Sequence, residues 1–174
     1  LAPIKVSFDG ILGLRLGWNQ AYAGGPIVDP YAAVQFQPKI TQSSAGVPVV
    51  NITAPNAAGM SVNHYQQFNI DTVGLILNNS MAGGGTLLGG DVTGNPNLNG
   101  KAASLIVNEV RSSGGAFASQ LDGGIEVFGA PAHVVIANPN GINCTGCAFV
   151  NTPRVTLTTG AVQFLSGPNG SSTA

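Results

Sequence analysis

The sequence predicts an all-β fold of short strands and many turns, and three observations lead to it. Charged residues make up 7 % of the chain, against about 25 % in ordinary soluble domains, so the charge pairs that support surface helices are scarce. The chain contains 25 glycines and 16 asparagines, and both residue types form helices poorly. Hydrophobic residues still reach 44 %, with Val and Ile in short runs, so the chain can build a core.

Length and charge limit the classes of function. A chain of 174 residues is most simply one domain with its own core. The net charge of −1 and the six scattered Lys and Arg residues provide no basic surface for nucleic acid. No apolar run approaches the ~18–20 residues that span a membrane. We therefore expect neither a nucleic-acid partner nor a transmembrane segment.

The first residues, 1–23, differ from the rest of the chain. An apolar run at 11–18 is followed by Ala21-Tyr22-Ala23, which has the small-x-small form of a signal-peptidase site. A leader remnant, a segment of artificial origin and a folded first strand all remain open for this stretch. Residues 24–174 form the predicted main domain, which begins with an extended, proline-containing lead-in at 24–42.

The strands of the main domain are predicted from runs of β-formers between turn residues. Residues 46–52 form the first such run, 61–69 an irregular stretch or short edge strand, and 74–79 and 103–110 two further strands. From Gly124 onward the runs shorten to four to six residues, punctuated by Gly, Asn or Pro. The side chains expected to point inward in this part are Val127, Val135, Phe149, Leu157 and Phe164.

This organisation favours a parallel β-solenoid, in which each rung adds short strands separated by corners. Asn suits corners because it tolerates left-handed backbone and its amide bonds to neighbouring backbone groups. Asn side chains on stacked rungs can also hydrogen-bond to one another along the axis. Low charge fits too, since like charges on successive rungs would repel. A β-sandwich explains the short strands equally well, but it explains the Asn excess and the low charge less well.

Two Asn-Pro-Asn turns are the most distinctive motifs. Each combines the fixed φ of proline with Asn, and the second adds Asn-Gly, a pair that tolerates positive φ. One interpretation is that they are corner turns whose Asn side chains satisfy backbone groups. The other is recognition by a partner, and the two do not exclude each other. The residues concerned are Asn95, Pro96, Asn97 and Leu98, and Asn138, Pro139, Asn140, Gly141 and Ile142.

The two cysteines, Cys144 and Cys147, allow three interpretations: a disulfide, a redox pair, or half of a zinc site. Zinc is disfavoured because the sequence has no second CxxC, and His64 and His133 lie at no ligand-like spacing. A redox pair usually sits at a helix N-terminus, which lowers a thiol pKa, yet β-formers flank this pair. A structural disulfide is favoured, and no metal or cofactor is expected.

Enzyme signatures are weak throughout the sequence. The few acidic residues show no spacing typical of a glycosidase carboxylate pair, and no G-x-S-x-G elbow is present. We expect Glu109 to be partly buried in a structural ion pair with Arg111 or Arg154. His64 and His133 are assigned no role.

Five segments in order between residues 46 and 160 carry a resemblance: GVPVVNITAPNAAGMSVNHYQQFNID, GLILNNS, NPNL, ASLIVNEV and VIANPNGINCTGCAFVNTPRVTLTTG. Together they resemble the two-partner secretion (TPS) domain, the N-terminal haemagglutination-activity domain of large exoproteins exported across the Gram-negative outer membrane. The CxxC directly after NPNGI is more similar to the haemolysin and contact-dependent growth-inhibition branches than to the filamentous haemagglutinin type.

The resemblance implies a right-handed parallel β-helix with extra β elements capping its N-terminal end. It implies a non-enzymatic export address, recognised by an outer-membrane TpsB transporter of the Omp85 superfamily. In that family, periplasmic POTRA domains capture the chain before it folds. The domain would then fold at the cell surface as a monomer and template a longer secreted exoprotein, whether adhesin, haemolysin or growth-inhibition toxin.

Two other functions remain in contention at this point. The first is an adhesive surface domain, in which the same β-helix binds host glycans or proteins directly. The second is a carbohydrate-active β-helix enzyme. Adhesion predicts binding by the purified domain without any transporter, and an enzyme predicts lost turnover when one acid pair is mutated.

Overall fold

The structure is a computed structural model, and it describes residues 24–111 and 117–163. These residues form fourteen strands and two short 3₁₀ helices, Val34–Phe36 and Pro96–Leu98. The strands are β1 (Ile27–Val28), β2 (Lys39–Gln42), β3 (Pro48–Asn51), β4 (Met60–Gln67), β5 (Leu75–Asn79), β6 (Gly84–Gly85), β7 (Asp91–Val92), β8 (Leu105–Val110), β9 (Ser119–Leu121), β10 (Gly124–Gly129), β11 (His133–Ala137), β12 (Ile142–Cys144), β13 (Ala148–Val150) and β14 (Val155–Thr158).

Three sheets stack along the axis, and the chain visits them in rotation, while β6 and β7 pair antiparallel in a separate two-stranded sheet. In sheet 1, β3, β5, β10 and β13 pair in parallel, and in sheet 2, β4, β8, β11 and β14 do the same. Sheet 3 pairs β9 with β12 and is extended by a parallel bridge from Ile70 to Leu121. Four rungs therefore begin at β3, β5, β10 and β13. This confirms the predicted all-β, parallel β-helical fold.

Extra β elements close the end of the helix at rung 1, as the resemblance implied. β1 pairs antiparallel with β4, and β2 pairs antiparallel with β3, so the first strands of sheets 1 and 2 are both covered. The lead-in at 24–42 thus contains capping strands. The other stretch singled out at the start of the sequence, residues 1–23, lies outside the described residues.

The interior is filled by side chains that stack in register from rung to rung. Leu75, Ile125 and Phe149 follow one another in sheet 1, and Ile106 and Val134 do so in sheet 2. All of these except the half-buried Phe149 are buried. Burial of such side chains contributes roughly 1.5–3 kcal/mol each, so the stacked interior contributes substantially to stability.

The inward-pointing set is only partly confirmed. Val127 is fully buried, and Phe149 packs against the core. Leu157 lies in register with buried Ile136 but remains 40 % exposed. The prediction that Val135 points inward is wrong. Val134 and Ile136 point inward, so the alternation along the strand turns Val135 outward. Phe164 lies outside the described residues.

Stacked asparagines occur at the corner between sheets 1 and 2, as expected. Asn51 and Asn78 are register partners on rungs 1 and 2, and Asn78 Nδ2 donates to Asn51 Oδ1 at 2.8 Å. Asn51 in turn donates to Thr41 Oγ1 of the cap at 3.0 Å. A short amide ladder thus continues from rung 2 into the cap.

Candidate functional site

The first corner motif, residues 95–98, joins two rungs through one side chain. Asn95 is buried, and its Nδ2 donates to Ile52 O at 3.0 Å and to Asn78 O at 2.9 Å. Ile52 follows β3 and Asn78 belongs to β5, so the amide connects backbone carbonyls of rungs 1 and 2 at the corner between sheets 1 and 2. Such carbonyls would otherwise be buried without a partner.

The sequence explains why this motif adopts its shape. Asn95 Oδ1 accepts the Asn97 N–H at 2.9 Å, and Pro96, with its fixed φ, starts the 3₁₀ turn. Asn97 Nδ2 reaches the carbonyl of Asn51 at 3.1 Å. Leu98 inserts into the core and is 1 % exposed. The motif is therefore a buried clamp fixed by both amides and an apolar anchor.

The second corner motif, residues 138–142, lies between sheets 2 and 3. Asn138 follows β11 and is fully buried, and its Nδ2 donates to Phe117 O and Ser119 Oγ, both at 3.0 Å. Its backbone N–H donates to Thr158 O at 3.0 Å. Since Ser119 belongs to rung 2 and Thr158 to rung 4, this asparagine of rung 3 contacts the rungs on both sides.

The remainder of the second motif is more accessible. Pro139 and Asn140 are exposed, and Asn140 donates from its N–H and its Nδ2 to Asn138 Oδ1 at 2.9 and 3.0 Å. Gly141 has a φ of +114°, and its N–H returns to Asn138 O at 3.0 Å, a conformation that favours glycine. Ile142 then begins β12 half-buried.

Cys144 and Cys147 form a disulfide in the structure, with their Cα atoms 5.3 Å apart. The loop they close leads from β12 to β13. The N–H groups of Thr145 and Gly146 donate to Leu121 O at 3.2 and 3.4 Å. Cys147 packs against the core, whereas Cys144 is exposed. The loop is thus held to rung 2. That Cys144 and Cys147 are oxidised in solution stays a prediction.

Sequence reasoning missed a buried cluster on the outer face of sheet 2. His64 Nε2 lies 3.4 Å from Glu109 Oε2, and the two residues are register partners of β4 and β8. The Phe36 ring of the cap lies over the imidazole, with ring centroids 4.6 Å apart. The N–H of Val162 donates to Glu109 Oε1 at 3.4 Å. One carboxylate therefore links rungs 1 and 2 to the segment after β14.

The predicted ion pair of Glu109 with Arg111 or Arg154 is wrong, because parallel register places His64 directly beside Glu109. Burial raises the pKa of the Glu109 carboxyl. The hydrogen bond and charge of His64 outweigh burial, with help from the Val162 N–H and the Arg111 charge, so this pKa lies below its ordinary value. The sequence did contain a signal for the pairing of these two residues, because the dipeptide Val-Asn precedes both His64 and Glu109.

Two further observations concern chemistry and membranes. Across residues 24–111 and 117–163, no group of three or more His, Cys, Asp or Glu side chains is placed to hold a metal ion. In the same part of the chain, no helix has the length and hydrophobicity that crossing a membrane requires. At both corner motifs the chemistry is hydrogen bonding by amide groups.

Comparison with known proteins gives matches over most of the chain. The family described as "TPS secretion domain" matches residues 27–172. The tRNA nuclease CdiA of Yersinia mollaretii is 51 % identical over 140 residues, which are 78 % of this chain and 5 % of that protein. The hemolysin of Proteus mirabilis is 44 % identical over 147 residues, which are 84 % of this chain and 9 % of that protein. The chain thus spans a small part of these curated relatives.

A solved structure shows the same fold. The crystal structure of the filamentous hemagglutinin secretion domain superposes with a TM-score of 0.69 at 40 % sequence identity, covering 79 % of this chain and 43 % of that one.

Proposed function

The chain belongs to the TPS secretion domain family, and on this premise we propose that it is the export address of a longer exoprotein. Exoproteins of this family are secreted or displayed on the surface of Gram-negative bacteria. The observation that carries the proposal is the family match over residues 27–172, which includes the cap, the four rungs of the described residues and both corner motifs.

The proposed partner is an outer-membrane TpsB transporter of the Omp85 superfamily, whose periplasmic POTRA domains bind the chain before it folds. Burial of Asn95 and Asn138 in the folded domain supports this order of events, because a partner that contacts their amides must meet them while they are accessible. An extended segment can add a strand to a POTRA sheet, where backbone hydrogen bonds give affinity and alternate side chains give specificity.

Folding at the cell surface is the second part of the proposal. The cap closes rung 1, while β13 and β14 are the last strands of their sheets among the described residues. The inward-facing Leu157 on β14 is exposed, so a further rung stacked there would cover apolar surface. Rung-by-rung stacking propagates from a formed end, which would bias transport outward. We expect the domain itself to act as a monomer.

The test is secretion from cells that carry the cognate transporter. We expect the wild type in the medium only when the transporter is present. Asn138→Ala and Asn140→Ala should both be retained, and Asn140→Ala should keep wild-type thermal stability because its side chain is exposed. Leu77→Ala, a core change outside the motifs, controls for lost stability alone.

The outcomes separate recognition from folding. If Asn140→Ala is secreted normally and Asn138→Ala is lost only in proportion to its stability, like Leu77→Ala, the second motif is structural and recognition lies elsewhere. A wild type that remains in the periplasm beside a confirmed cognate transporter would refute the export function itself.

A further inference from the structure

Asn-Gly pairs occur at both corner motifs, and their surroundings in the fold differ. Asn99-Gly100 directly follows the first motif, and Asn140-Gly141 lies inside the second. Asparagine is a chemically labile residue. A glycine that follows it has no Cβ to shield its backbone nitrogen, and its backbone rotates freely. The nitrogen can therefore attack the preceding side-chain amide, unless the local conformation prevents it.

The pair after the first corner lacks contacts that would hold it in place. Asn99 is exposed and adopts the left-handed conformation, with φ 49° and ψ 41°. Among the described residues, neither the Asn99 side-chain amide nor the Gly100 N–H has a hydrogen-bond partner. A Cβ added to Gly100 would meet no atom within 4 Å outside its chain neighbours. This part of the backbone therefore has room to rotate.

The pair in the second corner is held at both groups that would react. The Gly141 N–H donates to Asn138 O at 3.0 Å, and Asn140 Nδ2 donates to Asn138 Oδ1 at 3.0 Å. A Cβ added to Gly141 would lie 3.3 Å from the Ala118 Cβ, so this glycine is also closely packed. Both hydrogen bonds must open before the Gly141 nitrogen can approach Asn140 Cγ.

We propose that Asn99 is a spontaneous deamidation site of the folded domain, and that the fold of the second corner protects Asn140 from the same reaction. The Gly100 backbone nitrogen gives its proton to hydroxide and forms a bond to Asn99 Cγ. The Cγ–Nδ2 bond breaks, and Nδ2 leaves as ammonia after taking a proton from water. A cyclic succinimide remains, in which the Gly100 nitrogen is bonded to both carbonyl carbons of residue 99.

Water then opens the succinimide in one of two ways. Breaking the bond between the Gly100 nitrogen and Cγ gives aspartate, and breaking the bond to the main-chain carbonyl carbon gives isoaspartate. Overall one water is consumed, one ammonia is released and nothing is oxidised or reduced. The new carboxylate makes the net charge of the chain, −1 in the sequence, one unit more negative.

The modification should leave the first corner closed. The amides of Asn95 and Asn97 donate to their carbonyl partners without help from Asn99. Isoaspartate lengthens the main chain only where it leaves the corner, at exposed residues 99 and 100. Aged molecules would thus carry a chemical mark at one position and keep their fold. This reaction is separate from export.

The experiment incubates the purified 174-residue chain at mildly alkaline pH, folded and in urea, and follows the products by mass spectrometry. Cleavage after Lys and Arg places the two pairs in different peptides, 40–101 and 112–154. A third pair, Asn169-Gly170, lies outside the described residues and falls in the peptide 155–174. Methyl transfer from S-adenosylmethionine by an isoaspartyl methyltransferase detects the isoaspartate.

In the folded chain we expect Asn99 to react about 10-fold or more faster than Asn140, because two hydrogen bonds must open at the second corner. In urea the two rates should agree within about 3-fold, since little local structure remains. Asn97 is the internal control: it lies in the same peptide as Asn99, is followed by Leu98, and should stay unmodified.

Gly100→Ala is the matched variant, because its Cβ would shield the attacking nitrogen. It should slow the reaction at Asn99 below detection and leave the rate at Asn140 unchanged. Gly100 has a φ of +82°, which strains an alanine, so circular dichroism must first show that the variant is folded. The same variant in urea repeats the comparison without that strain.

The proposal is overturned if Asn140 reacts as fast as Asn99 in the folded chain, or if Asn99 stays unmodified there while it reacts in urea. It is also overturned if neither pair reacts in urea, or if Gly100→Ala reacts at the wild-type rate. Because the assay contains no transporter, none of these results bears on the export function, and loss of secretion would leave this proposal standing.

Discussion

The two Asn-Pro-Asn motifs share a turn but differ in what they hold together. In both, the Oδ1 of the first asparagine accepts the N–H of the second at 2.9 Å. At the first corner both amides then donate to backbone carbonyls of neighbouring strands. At the second corner Asn138 donates to the Phe117 carbonyl and the Ser119 hydroxyl, while the Asn140 amide returns to Asn138 and remains exposed.

The shared tripeptide forms the same side-chain-to-backbone turn in both motifs, and the residue that follows it differs. Leu98 follows the first motif and anchors it in the core. Gly141 follows the second and, with positive φ, directs the chain into β12. The same tripeptide therefore occurs once as a turn anchored in the core by Leu98 and once as a turn in which Pro139 and Asn140 are exposed.

The largest effect should come from removing the buried amides. Asn95→Ala leaves two backbone carbonyls at the first corner without their donor, and Asn138→Ala removes the donor to Phe117 O and to the buried Ser119 Oγ. A buried polar group left unsatisfied costs about 1–3 kcal/mol. We expect each change to lower the free energy of unfolding by about 2–4 kcal/mol. Urea denaturation followed by circular dichroism measures this. If either variant lost under about 1 kcal/mol, that corner could not be a clamp between rungs.

Opening the disulfide should affect the second corner more than the first. Cys144→Ser leaves the loop held by its hydrogen bonds to Leu121, and a loop this small contributes only about 2 kcal/mol in the chain-entropy model. We expect that loss in urea denaturation, with the fold retained. Hydrogen exchange should rise for amides near Thr145 and stay unchanged near Asn97. Wholesale unfolding of the variant would contradict this account.

The second asparagines distinguish the corners most directly. Asn97→Ala removes the donor to the Asn51 carbonyl and should cost about 1 kcal/mol. Asn140→Ala removes only a bond within its own turn at an exposed position and should cost less than about 0.5 kcal/mol. Equal losses in a paired urea titration would show that the two corners are energetically alike.

Much of the fold and of the two corner motifs was predictable from the sequence, and the features that were not predictable depend on how distant strands stack. The Val- and Ile-rich runs located most of the strands, and the Asn-Pro-Asn turns located two corners, because both signals are local. Which face of a short strand points inward depends on the register of its neighbour, so Val135 was misplaced. The partner of Glu109 depends on which strands stack, and a histidine 45 positions earlier in the sequence supplied it.

The smallest expected effect is a pH dependence confined to the second corner. In the register of sheet 2, Glu109 lies beside Ala137, the residue before Asn138, whereas Asn95, Asn97 and their carbonyl partners bring no titratable side chain. His64 and the Val162 N–H favour the ionised carboxylate, which lowers its pKa in the folded state. The stability from this group is therefore fully present above the unfolded pKa of about 4.3 and is lost as the pH falls through the lower, folded value.

Hydrogen exchange and urea denaturation between pH 7 and pH 3 would measure this loss, with Glu109→Gln as the control. In Glu109→Gln, the part of the acid-induced loss of unfolding free energy that comes from Glu109 should be absent, while the part that comes from the other carboxylates persists. The amides of residues 138–142 should lose protection in acid before those of residues 95–98, since only the former adjoin the titrating group. Earlier loss at the first corner, or an identical acid response in Glu109→Gln, would mean that the His64–Glu109 pair does not stabilise the second corner.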